Sequence, residues 1–89
     1  MRFEWDENKN RQNLLKHDIR FETAALVFDD PYSLARPDES CTEEERWTAL
    51  GAVGGAVLVV VYTWREDSVR MISARRATAH ERKRYEDNR

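Results

Sequence analysis

The sequence predicts an α+β domain: two helices, then an antiparallel three-stranded meander, then a last helix, with the helices on one side of the sheet. Three observations carry that reading. An acid-capped helical stretch opens the chain, and a short segment with helical spacing follows it. Ala49 to Trp64, "ALGAVGGAVLVVVYTW", carries no charge and is interrupted by Gly54-Gly55. Thr78-Ala79-His80-Glu81 has the form of a capping box.

Taken in order, Phe3 to Trp5 reads as a short strand. Asp6 suits the N-cap of a helix over Glu7 to His17, because its carboxylate can accept from first-turn amides. The apolar face of that helix is thin, chiefly Leu14 and Leu15, and Asp18 falls at its end, where glycine would be easier. Phe21, Ala24, Ala25 and Phe28 recur at i, i+3, i+4 and i+7, one face of a second helix. Asp29-Asp30-Pro31 stops it, since a residue before proline is pushed out of the α region. Tyr32 to Arg36 forms a further short strand, and Pro37 to Glu43 a polar loop holding Cys41.

Glu44 to Val53 is the first meander strand, with Gly54-Gly55 as a tight hairpin turn. Ala56 to Thr63 is a nearly unbroken β-branched run, as expected of a central strand covered on both faces. Arg65-Glu66-Asp67 makes a second turn, and Ser68 to Arg75 the third strand. The last helix starts near Ala79 and is so polar that only Ala79 and Tyr85 are candidates for burial. A helix this short is marginal in water and must dock.

The chain has 89 residues, enough for one domain over residues 1–89 with one modest core. One cysteine excludes an internal disulfide and suits a reducing, cytoplasmic compartment, with Cys41 itself inert. The start, MRFEWDENK, has no apolar signal region. The uncharged run 49–64 is shorter than the roughly 20 residues a membrane helix needs, so no membrane is expected. No phosphate-cradling glycine motif, catalytic triad or metal-ligand spacing occurs. No metal or other cofactor is therefore expected.

Charge is the sharpest signal. The net charge is −2. Residues 29–45 sum to −6, yet residues 64–89 sum to +3. On an ideal strand Arg75 shares a face with Ser73, Met71 and Val69, while Arg76 shares the other with Ala74, Ile72 and Arg70. Both faces cannot be core, so at least one guanidinium should stand on an open face, where its planar fork can hold a phosphate. Alternatively, these arginines pair with the acidic 29–45 segment or with helix acids. Glu45 reads as a general base or a rim charge, and His17 as an acid or base or a partner for the last helix carbonyls. Tyr85 reads as a proton donor or as the anchor of its helix.

The pieces "FEWDENKNRQNLLKHDIRFETAALVFDDP", "EERWTALG" and "LVVVYTWREDSVRMISARRATAHERKRYE" resemble the BrnT family of bacterial type II toxins over about residues 3 to 86. Asp18 departs from the family, which usually has glycine there. The resemblance implies a RelE-like fold and a small metal-independent ribonuclease that halts translation. It also implies neutralisation by a BrnA-type ribbon-helix-helix antitoxin, with operator DNA contacted only through that antitoxin. The expected site has Arg65, Arg70, Arg75 and Arg76 on the phosphate, with Glu45, His17 and Tyr85 as proton-transfer candidates. Arg82, Lys83, Arg46 and Lys16 would contact RNA. The competing reading is a non-enzymatic module whose basic C-terminal face docks an acidic partner.

Overall fold

A computed structural model describes residues 1–38 and 45–89. The expected loop around Cys41 and the expected strand start at Glu44 lie outside the described residues. Strands β1 (Arg2–Glu4), β2 (Leu34–Pro37), β3 (Trp47–Val53), β4 (Ala56–Arg65) and β5 (Ser68–Arg76) form one sheet in the order β1-β5-β4-β3-β2. The meander β3-β4-β5 is antiparallel as predicted, and β2 joins it antiparallel. The sheet is nevertheless mixed, because β1 pairs parallel to β5. The uncharged run becomes the β3–β4 hairpin, with Gly54 and Gly55 at φ 55 and 85, the left-handed pair that a two-residue turn requires. No helix among the described residues is long and apolar enough to cross a membrane.

Helix α1 (Glu7–His17) has the predicted bounds and the predicted Asp6 cap, whose Oδ1 accepts from Asn8 N at 2.8 Å. Asp18 closes it with φ 60. What α1 buries is not leucine. Leu15 is 88% exposed, while Asn10 and Asn13 are buried. The reason lies at the sheet edge: β1 pairs with β5 only through Arg70, which leaves the backbone edge around Ala74 to be satisfied otherwise. Asn13 donates to the carbonyls of Ala74 and Ile19, both at 2.9 Å, and accepts from Ala74 N at 3.0 Å. One amide side chain thus continues the ladder in place of a strand. Asn10 accepts from Phe21 N at 2.8 Å and so caps α2 (Phe21–Ala24).

The predicted second helix exists but changes its winding. After Ala24 it continues as a 3-10 segment, Ala25–Asp29. At three residues per turn the buried face passes from Ala24 to Val27, which is fully buried, and Phe28 is only half-buried. This layer covers one sheet face, where Ile19, Phe21 and Val27 pack on Leu58, Val60, Tyr62, Val69, Met71 and Ala74. Each such buried side chain contributes about 1.5–3 kcal/mol.

Helix α3 (Ala79–Asp87) has the predicted capping box. It does not join the other helices. Tyr85 packs with Leu50 and Val59 on the opposite face of the sheet, so helices lie on both sides. That corrects the one-sided arrangement. It also explains the double burial of β4 over Leu58 to Val60, which one helical layer cannot produce.

Candidate nucleic-acid interface

Strand register decides which side chains share the α3 face. Leu34, Leu50, Val59 and Arg75 form one row across β2 to β5, and Arg36, Thr48, Val61 and Ser73 the next. Beyond Val61 the ladder is irregular: Val61 pairs with Ser73 but Tyr62 with Met71, so Ile72 is an extra residue on β5. Such a bulge exchanges the faces of everything beyond it. Arg70 therefore pairs with Thr63 and stands on the same face as Arg75, while Val69 and Met71 join the core with Ala74. Arg76 pairs with Leu58 on the opposite face and is exposed. The alternation expected for an ideal strand, with Arg75 beside Met71 and Val69, is corrected accordingly.

Helix α3 covers only part of this face, over Leu50, Ala52, Val57 and Val59. Beside it lies a hollow of about 580 Å³, floored by Thr48, Leu50, Val59 and Val61 and rimmed by Arg36, Asp38, Arg75, Glu81 and Arg84. That size suits a small ligand or a nucleotide. Arg75 is the best-held group in it. Its Nη1 and Nη2 donate to the two Glu81 carboxylate oxygens at 2.7 and 2.9 Å, and Nη1 also donates to the Arg76 carbonyl at 3.3 Å. This bidentate guanidinium, with help from Thr78 N and against the opposing effect of burial, holds the Glu81 carboxyl at about 2. The same pairing pushes the Arg75 pKa up. A guanidinium has five N–H donors in a planar fork. The Glu81 edge and the Arg76 carbonyl use three of them. Nε–H and the remaining Nη2 hydrogen form a second edge with no acceptor among the described residues.

A second hollow, of about 340 Å³, follows along the same face and is lined by Lys9, Arg46, Thr63, Trp64, Arg65, Arg70 and Ile72. Its lining has four cations and no carboxylate. Glu4 Oε1 lies 3.7 Å from Arg65 and 3.8 Å from Arg70, too long for hydrogen bonds. That oxygen is buried and has no hydrogen-bond partner.

The expected single convergence of guanidinium groups is thus divided. Arg75 serves one hollow, Arg65, Arg70 and Arg46 the other, and Arg76 the far face. Tyr85 is buried, and its hydroxyl donates to Asp30. Asp30 also accepts from Ala52 N at 2.8 Å and Tyr32 N at 3.0 Å. Burial opposes the Asp30 charge, but these donors outweigh it and hold the carboxyl below its usual range. The carboxylate in turn, followed by burial, pushes the Tyr85 phenol up. This is the geometry of an anchor for α3. Glu45 is exposed just before β3, where its carbonyl accepts from Thr63 Oγ1 at 2.7 Å. His17 and Lys16 end α1 and line neither hollow. Arg82 and Lys83 are exposed and line neither hollow, Lys83 lying 3.8 Å from Asp87. The sequence reading missed Arg36, Thr48, Glu81 and Arg84. The spacing 81, 84, 85 was the available signal for two of them, since residues at i, i+3 and i+4 share a helix face.

The described residues make a small α+β protein whose partly open sheet face carries arginines around two hollows. Residues 5–81 match the model of the BrnT ribonuclease toxins of type II toxin–antitoxin systems. The chain belongs to that family, which makes an antitoxin its partner. No curated protein matches it.

Proposed function

We propose that this protein is a RelE-like endoribonuclease that inhibits translation in the cytoplasm, and that the hollow beside α3 is where RNA is cut. The second, unoccupied edge of Arg75 carries the reading. Glu81 presets the guanidinium and leaves a second edge for a phosphate to meet bidentately in the hollow that Arg75 lines. Arg36 and Arg84 bring further positive charge to the same space.

The reaction proposed needs no metal. The RNA 2′-oxygen attacks the adjacent phosphorus, the bond to the 5′-oxygen breaks, and a 2′,3′-cyclic phosphate and a 5′-hydroxyl result. The 2′-hydroxyl proton passes to water, and water protonates the leaving oxygen. Catalysis then rests on alignment and on stabilising the charge that builds on the phosphoryl oxygens. Glu81, ionised down to about 2, is too weak a base to take that proton at neutral pH and acts by positioning Arg75. The reading gives Arg76, Glu45, His17 and Tyr85 no contact with the scissile phosphate, because none of them lines the hollow.

A ribbon-helix-helix antitoxin of the BrnA type is the proposed partner, and it would supply any operator DNA contact. The test is cleavage of single-stranded RNA by purified protein in EDTA, with product ends identified. Arg75→Ala should lose about 10²-fold or more in rate. Arg75→Lys should not restore it, since a point charge cannot offer two parallel donors. Full cleavage by Arg75→Ala would refute the assignment. Salt-sensitive RNA binding without any cleavage would favour the docking-module reading instead.

A further inference from the structure

The second hollow lies on the same sheet face as Arg75 but does not reach it. Arg70 and Arg75 are five positions apart on β5, a distance of roughly 15 Å along a strand. One phosphate cannot touch both. The two hollows adjoin along β4, where Val61 lines the first and Thr63 the second.

Among the described residues, the charge of Arg65 and Arg70 there is only loosely matched. Arg65 and Arg70 share a single carboxylate oxygen at distances longer than hydrogen bonds, and that oxygen is itself unsatisfied. Guanidinium groups held this loosely keep most of their donors for an incoming anion. Trp64 pairs with Val69 and meets the Tyr62 ring edge-on, so its indole belongs to the opposite face and the cluster is one of cations alone. A positively charged groove of this kind tracks the backbone of a single-stranded nucleic acid.

We infer that Arg65 and Arg70 form a second RNA subsite, one that binds a phosphate several nucleotides away from the scissile phosphate at Arg75. The inference rests on the proposed ribonuclease reading and adds a substrate class to it. The substrate is a single strand long enough to lie along β5 and fill both hollows. A dinucleotide occupies only the first.

The test measures binding of 2′-O-methyl oligoribonucleotides, which cannot be cut, by fluorescence anisotropy. Lengths run from about two to about eight nucleotides, within the site sizes of single-strand binders. Wild-type affinity should step up once the oligomer spans both hollows. Arg65→Ala/Arg70→Ala should remove that step, weakening the long oligomers by about tenfold and leaving the dinucleotide unchanged. Its salt slope on long oligomers should fall by about 0.7 for the lost phosphate. Circular dichroism checks that each variant is folded, and Arg65→Lys/Arg70→Lys, which keeps the charge, should keep the slope.

A double variant that binds every length as wild type does, with the same slope, overturns the inference. So does a wild type with no dependence on length. A wild type that binds by length through these arginines but cuts nothing overturns the ribonuclease reading alone.

Discussion

Replacing Glu81 by glutamine isolates the charge of the Arg75 pair. Glutamine keeps the volume and still serves the capping box, so α3 keeps its start. The negative charge that fixes Arg75 is lost. The Glu81 carboxyl sits at about 2 against an ordinary value of 4.5, a gap equivalent to ~3.4 kcal/mol. The Arg75 side chain is 41% exposed, and solvent screening reduces that to about 1–2 kcal/mol. The folded-state pKa is depressed, so this stabilisation is complete above pH 4.5 and is lost as pH falls toward 2. Glu81→Gln should therefore be less stable than wild type at pH 7 by about 1–2 kcal/mol. A domain this size melts about 4–8 °C lower per kcal/mol lost. The two proteins should converge near pH 2. Thermal melts followed by circular dichroism at steps between pH 7 and pH 2 give the difference directly. In the cleavage assay the variant should lose rate while RNA affinity changes little, because the misplaced guanidinium matters most in the transition state. Melting curves that stay parallel down to pH 2, with cleavage unchanged, would refute both the strength of the pair and its positioning role.

Asn13→Leu keeps the branched shape but strands three buried backbone groups, each worth about 1–3 kcal/mol. Urea unfolding should show a loss of several kcal/mol, whereas Leu15→Ser on the same helix should be nearly silent. Tyr85→Phe removes one donor to a carboxylate and should cost about 1.5–3 kcal/mol. The raised phenol pKa means that wild type loses this contribution as pH rises past the usual tyrosine range, and the variant should lack that alkaline loss in melts. Gly51→Ala places a Cβ 2.9 Å from Val27 Cγ1 and 3.2 Å from the Val27 carbonyl. The 3-10 segment must give way, and a loss of about 1–3 kcal/mol by denaturant titration is expected.

Local chemistry was legible in the sequence wherever one segment contained its own cause. Asp6, Asp18, Gly54-Gly55 and the Thr78–Glu81 box each act within a turn or two, and each does in the structure what its residue type dictates. The central place of β4 was legible too, because a β-branched run must be covered on both sides. The site was legible only as an excess of arginine near the C-terminus.

Tertiary structure decided which arginines meet. A single extra residue, Ile72, exchanges the faces of β5, and no alternation pattern reveals where a ladder slips. The docking of α3 through Tyr85 onto Asp30, 55 positions away, puts Glu81 and Arg84 over the sheet. The pairing of β2 with β3 brings Arg36 to the same hollow. Asn13 repairs a strand edge that exists only once β1 has ended. These are all long-range pairings, and a residue's own neighbours in sequence carry no information about them.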